Sequence, residues 1–103
     1  MDIKIALRVD DLDNVATIFA NGVTAGDEVE VRDKKGNLDR IKVHSDIPYG
    51  HKIAVTDIPA GAHIMKYGES IGEADTDIRR GDYVHVHNMK ALRGRGDLEE
   101  AKK

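Results

Sequence analysis

Three short stretches carry side chains able to do chemistry: His51-Lys52, Lys66-Tyr67 and His85-Val86-His87-Asn88. Over residues 81–88, Val84 and Val86 alternate with Tyr83, His85 and His87. That pattern predicts a β-strand with the valines on one face and the three rings on the other. Two imidazoles one step apart on a shared face can chelate a divalent metal or grip an anionic substrate. A zinc or iron site needs at least one more protein ligand, for which His63, Asp82 and His44 are the candidates. Without one, the same spacing describes a solvent-facing or interface pair, and an imidazole near its reference pKa can act as acid or base at neutral pH. His51 and Lys52 follow directly on Ile47-Pro48-Tyr49-Gly50. At such a junction they can hold a carboxylate through charge-assisted hydrogen bonds, or simply border a turn on the surface. Lys66 and Tyr67 precede Gly68 in the same way.

Composition narrows the function classes. The 103 residues suffice for one small domain, and the chain contains no cysteine, so neither disulfides nor thiolate metal sites are expected. A formal net charge of −3, no tryptophan and few aromatic residues argue against a phosphate-backbone footprint or a base-stacking platform, so nucleic acid is not an expected partner. No basic n-region with an apolar h-region opens the sequence, and no apolar run approaches membrane-spanning length, so a cytoplasmic, non-membrane protein is the expectation. A Gly-rich phosphate loop, a zincin motif and a nucleophile elbow are all missing from the sequence.

The elements that must position these residues read as short strands. Residues 3–9 alternate apolar and polar except at Ala6 and predict a half-buried strand. Asp10, Asp11, Asp13 and Asn14 form a polar turn or helix cap that lacks the Gly and distal Glu of a calcium loop. Val15 to Ala20 could be strand or helix, with Asn21-Gly22 and Ala25-Gly26 as turns. Residues 28–32 and 40–44 predict a β-hairpin joined by Asp33-Lys34-Lys35-Gly36-Asn37. A weak repeat, [ST]-D-I-x-x-G, then recurs at 45–50, 56–61 and 76–81, each time leading into a strand. Its polar residues can bond turn amides, its Ile anchors the turn, and its Gly supplies a positive φ. Ile53, Ile64 and Val84, each three residues past the repeat's Gly, are expected to share one core face. The spacing is too irregular for a solenoid and predicts a compact, mainly β domain over 1–88 without long helices. Residues 89–103 read as a polar C-terminal tail, with a short helix from Asp97 as the alternative.

Taken together, Ile47-Pro-x-Gly-His51-Lys52-Ile-Ala, Ile64-x-Lys66-Tyr67-Gly68-x-x-Ile71-Gly72 and Ile78-x-x-Gly81-x-x-Val-His85-Val-His87-Asn88 resemble the N-terminal domain of altronate and galactarate dehydratases. The small subunit of sulfolactate sulfo-lyase is similar. The resemblance implies an SAF-type β-clip fold, as in sialic acid synthase tails and type III antifreeze proteins. It also implies a small, non-autonomous subunit of a metal-assisted hydroxy-acid lyase, because this chain ends soon after Asn88 where fused relatives continue. The family chemistry is β-elimination from a sugar acid or sulfonated hydroxy acid with a divalent metal: Fe2+, with Mn2+ or Zn2+ as alternatives. On that model His85 and His87 are metal ligands shared with a large catalytic subunit. His51, Lys52 and Lys66 are catalytic residues that steady the carboxylate, and Tyr67 and Asn88 contact substrate. The isolated chain is expected to form a homo-oligomer through the face meant for its partner. The alternative is a free-standing SAF module that binds a sugar acid or a protein without catalysis.

Overall fold

A computed structural model describes residues 3–91. Nine short strands follow in order: β1 (Lys4–Arg8), β2 (Val15–Ile18), β3 (Glu28–Asp33), β4 (Leu38–Lys42), β5 (Lys52–Ala54), β6 (His63–Lys66), β7 (Glu69–Ala74), β8 (Tyr83–Val84) and β9 (Met89–Ala91). There is no helix among the described residues, and so none long and apolar enough to cross a membrane. Six strands form one sheet in the order β4-β3-β1-β2-β5-β8, and three form a second in the order β6-β7-β9. Only β1 and β3 run parallel; the other described pairings are antiparallel. The predicted β3–β4 hairpin forms with Val29 opposite Ile41.

Two apolar clusters lie on opposite sides of the six-stranded sheet. Ala6, Ala16, Ile18, Val29, Val31, Ile41 and Ile53 belong to the first cluster. Val15, Ala54 and Val84 belong to the second, with Ile58, Ile64, Ile78 and Met89. Strand β2 lies between them, and all four of its residues are buried. A strand covered on both faces reads as a continuous apolar run rather than an alternation, which is why 15–20 left strand and helix open. The same arrangement corrects the expectation of one shared face, since Ile53 packs in the first cluster and Ile64 and Val84 in the second.

Strand β1 departs from its expected orientation. Ala6 is the residue pressed into the first cluster, while Ile3 is 60% and Leu7 39% exposed. The apolar alternation therefore faces outward. It continues across the pairing of Leu7 with Thr17 and of Thr17 with Lys52, because cross-strand partners share a face. Phe19 and Tyr49 extend this exposed patch with rings edge to face, centroids 5.9 Å apart.

The repeat builds four like turns where the sequence pattern shows three. In each, the residue after the glycine donates its N–H to the carbonyl three positions back: Asp27 to Thr24, His51 to Pro48, Ala62 to Pro59 and Asp82 to Arg79. A positive φ at the third turn position marks type II geometry. The turns pair through the bridges Val23–Ile47 and Ile58–Ile78. Asp57 accepts from the Arg80 amide and Asp77 from the Ala60 amide, a reciprocal exchange across the second pair. In the first pair Asp46 accepts from the Ala25 amide, and Gly22 stands where a second aspartate would. Met89–Ala91, expected to head a polar tail, instead form β9 against β7, with Met89 buried. The remaining tail residues, 92–103, and the alternative helix from Asp97 lie outside the described residues.

Candidate functional site

Two of the four turns deliver the chemistry. The Gly50 turn ends at His51 and opens β5; the Gly81 turn ends at Asp82 and opens β8, and β5 and β8 pair side by side. Ile53 opposes Tyr83 in that pairing, which sets His51 and Tyr83 on the same side. The His51 Nδ1 and the Tyr83 hydroxyl lie 2.6 Å apart.

The strand expected to run to Asn88 stops at Val84, and residues 85–88 form a tight turn. Asn88 closes it. Its amide N–H donates to the His85 carbonyl, its side-chain oxygen accepts the His85 N–H, and its side-chain nitrogen donates to the Tyr83 carbonyl. With 7% of its surface exposed, Asn88, expected to contact substrate, is engaged by the backbone of its own turn. Val86 points outward, 71% exposed, while Val84 is buried, so the two valines do not share one face as expected. The rings nevertheless gather. Tyr83 stacks on His85 with centroids 5.6 Å apart and planes 10° from parallel, His87 lies 5.2 Å from Tyr83, and His51 lies 4.6 Å from His85.

Lys52 places a charge near His85, and Lys66 a charge near Lys52. Lys52 alternates to the other side of β5, where it pairs with Val84. Burial holds its ammonium below the ordinary lysine value, and the neighbouring Lys66 charge adds to the effect. Lys66 ends β6, with its ammonium 5.0 Å from the centre of the exposed Tyr67 ring. The His85 imidazole is pushed below its usual value by burial first, then by His51, Lys52 and His87. Its Nδ1 is buried without a hydrogen-bond partner, so charging the ring would be doubly costly. Among the described residues neither Lys52 nor Lys66 has a carboxylate within ion-pair distance. Asp82, which precedes Tyr83, is engaged elsewhere: its carboxylate is 2.7 Å from His44 Nδ1 and accepts the Arg79 amide.

A divalent metal does not fit this cluster as the chain presents it. No three His, Asp or Glu side chains among the described residues converge as ligands. His63, one expected third ligand, bonds Ser70 on the other sheet, and His44 and Asp82 bond each other. A dication beside His85 would also meet the Lys52 charge that already depresses that imidazole. What the arrangement can do is receive an anion: two ammoniums and three imidazoles supply donors, and an uncharged imidazole can take up a proton. Of the residues expected at the site, His51, His85 and His87 come together as rings. Lys52 and Lys66 couple by charge, Tyr67 flanks Lys66, and Asn88 is diverted to the backbone. Tyr83 was legible from its alternation with the histidines, whereas Asp13, whose carboxylate holds the Tyr67 turn, carried only a turn signal.

Comparison with known proteins places this geometry in a family. Residues 4–92 match the model of the altronate/galactarate dehydratase SAF domain. Altronate dehydratase of Escherichia coli (strain K12) is 39% identical over 84 residues, covering 82% of this chain and 16% of that protein. The (2R)-sulfolactate sulfo-lyase subunit alpha of Chromohalobacter salexigens is 37% identical over 83 residues, covering 79% of this chain and 87% of the relative. Galactarate dehydratase (L-threo-forming) of Escherichia coli (strain K12) is 40% identical over 79 residues, 76% of this chain and 14% of that protein. The chain thus spans about a sixth of the two dehydratases and most of the sulfo-lyase subunit. The chain belongs to the SAF domain family of altronate and galactarate dehydratases.

Proposed function

We propose that this chain is the small, non-autonomous subunit of a hydroxy-acid lyase of the altronate/galactarate dehydratase type, and that it contributes the anion-recognition part of the active site. The observation that carries the reading is the β5–β8 end of the large sheet, where the His51, His85 and His87 rings gather, Lys52 lies near His85 and Lys66 near Lys52, and among the described residues neither lysine is ion-paired to a carboxylate. The named relatives act on altronate, galactarate or sulfolactate, hydroxy acids whose carboxylate or sulfonate suits such a cluster. In β-elimination a base removes the proton next to the acid function while the β-substituent departs. Lys52 and Lys66 hold the acid group and offset the charge that develops on it. His85, kept uncharged near neutrality, is the ring able to accept a proton, and the Tyr83 hydroxyl orients His51 beside it. A metal bridged by His85 and His87 would need its other ligands from another polypeptide, and no step above relies on it.

A partner follows from the same reading. Ile3, Leu7, Phe19 and Tyr49 are exposed, and Leu7 shares its face with Thr17 and Lys52, so the apolar patch borders the cations. Such a patch suits a larger catalytic chain that covers the site and excludes water, and in its absence it suits self-association. The test is reconstitution. A large dehydratase chain lacking this domain is assayed on galactarate, altronate and sulfolactate with and without the present chain. Activity that appears on mixing and is lost with Lys52→Met supports the proposal; equal activity without the chain, or indifference to that substitution, rejects it. The alternative of a free-standing binding module is favoured if the chain binds one of these acids yet never stimulates turnover.

A further inference from the structure

The hairpin tip that carries Lys66 and Tyr67 has a backbone its sequence does not favour. Lys66 and Glu69 are paired, so Tyr67-Gly68 is a two-residue connection. Both residues have positive φ, 56° and 78°. This is the type I′ pattern, which favours Asn-Gly or Asp-Gly and penalises a tyrosine in the left-handed region by about 1 kcal/mol. A buried acid meets this strain. Asp13 is 5% exposed. Its Oδ2 accepts the Tyr67 N–H at 3.0 Å and the Asp10 N–H at 3.1 Å, and its Oδ1 accepts the Gly68 N–H at 2.8 Å. The tip also lies close against the β1–β2 turn, since a Cβ on Gly68 would meet the Asp10 carboxylate at 3.0 Å.

The next residue joins the two lysine-bearing strands. The Asn14 side chain accepts the Met65 N–H and donates to the His63 carbonyl, which brackets β6. Its backbone carbonyl accepts the Val55 N–H just beyond β5. Lys52 stands on β5 and Lys66 on β6, so both ammoniums are referred to the same two residues of one turn.

We propose that Asp13 is a positioning residue for the anion site: its carboxylate clamps the strained Tyr67–Gly68 turn and thereby holds Lys66 beside Lys52. This deepens the anion-recognition reading and rests on it. Two like charges at the ends of separate strands drift apart unless the backbone beneath them is fixed. The clamp keeps them poised in the empty site, and an arriving acid group neutralises both. The Lys52 ammonium is lowered by burial first, and the Lys66 charge lowers it further.

The test compares wild type with Asp13→Asn, whose amide cannot accept from both turn N–H groups. Galactarate affinity is read by titration, and the ionisation of Lys52 is read by NMR of its side-chain nitrogen. Loosening of the tip is expected to weaken galactarate binding by roughly 3- to 10-fold, the scale of one lost charge-assisted hydrogen bond. The Lys52 ammonium should move up toward the ordinary lysine value, as it should in Lys66→Met. A purely structural role for Asp13 would lower the melting temperature and leave Lys52 where it is. Should Asp13→Asn fail to fold, Asp13→Asn combined with Tyr67→Asn supplies an Asn-Gly turn that forms unaided: recovery of the fold with Lys52 at its wild-type value supports the clamp, and a double variant that still fails to fold overturns it. An unchanged Lys52 together with unchanged affinity in folded Asp13→Asn overturns the proposal. If wild type binds no galactarate, the anion reading fails, while the response of Lys52 to Asp13 still decides whether the clamp exists.

Discussion

The two ends of the six-stranded sheet handle charge in opposite ways. At the β3–β4 end, acids and bases are matched: Arg32 Nε lies 2.6 Å from Glu30, and Lys35 pairs with Asp11. Arg80 reaches across to Asp39 with two hydrogen bonds while also donating to the Arg40 and Val55 carbonyls. At the β5–β8 end, among the described residues, neither Lys52 nor Lys66 is ion-paired to a carboxylate, and three histidine rings lie nearby. Uncompensated like charges cost folding free energy, and a chain with 19 acidic residues had ample means to neutralise them. On the proposed function, the difference separates charges that serve the fold from charges that await a ligand.

Breaking that comparison at its unmatched end should give the largest effect. Lys52→Met and Lys66→Met are each expected to weaken galactarate binding by about 10- to 100-fold while changing stability little or even raising it, because a repulsion is relieved. Calorimetric titration and thermal melts check both. Lys52→Met that binds normally would erase the distinction between the two ends.

Gly81→Ala tests whether the turn that leads into Tyr83 can yield. Its φ is +98°, and a Cβ would meet the Lys42 carbonyl at 2.4 Å and the His44 ring at 3.2 Å. Strain and overlap together should cost roughly 2–3 kcal/mol, a fall in melting temperature on the order of 10 °C for a domain this size. Asp39→Ala, at the matched end, should cost at most about 1 kcal/mol, as an exposed ion pair does.

The same contrast extends to pH. His85 has a folded pKa below its unfolded value, so its contribution to stability is complete above about pH 6.5 and is lost as pH falls through its lowered folded value. Asp39 is also held below its usual value, chiefly by its hydrogen bond to Arg80. Its contribution is present above the ordinary aspartate range and disappears only at more acid pH. Denaturant melts from pH 8 to 5 should therefore weaken for wild type and flatten in His85→Gln, while Asp39→Asn leaves that window unchanged. The smallest effect belongs to the outward patch. Phe19→Ser and Leu7→Ser should alter the stability of the isolated chain by no more than about 0.5 kcal/mol, yet reduce the self-association seen by light scattering. A wild-type monomer at high concentration would contradict the role given to that patch.

Much of this architecture was legible because each turn carries its own chemistry. The hairpin over 28–42 followed from alternation around a glycine-bearing loop, and three of the four type II turns followed from [ST]-D-I-x-x-G. The fourth, at Thr24 to Asp27, was read as a turn at Ala25-Gly26 but not as a copy of the repeat, because Asn21-Gly22 replaces the aspartate that marks the others. Strand β1 was recognised but turned the wrong way. Alternation shows that one face is apolar, yet only packing decides whether that face meets the core or a partner, and Ala6 was the better fit against Ile18. His85 and His87 converge as expected, though through a turn drawn tight by Asn88 rather than along a strand. A buried Asn serving two backbone groups looks, in sequence, the same as one serving a substrate. Asp13 was hidden for a similar reason: its partners at Tyr67 and Gly68 lie more than fifty residues away.

The central claim is that the ring-and-lysine cluster binds the acid group of a hydroxy acid, and NMR on the isotopically labelled chain tests it most directly. Galactarate is titrated in while the His51 and His85 ring signals and the Lys52 ammonium are followed. The account predicts saturable shifts at these three residues, with the His85 imidazole moving up toward its usual value as the anion arrives. Shifts no larger than those produced by sodium chloride at equal ionic strength would contradict it.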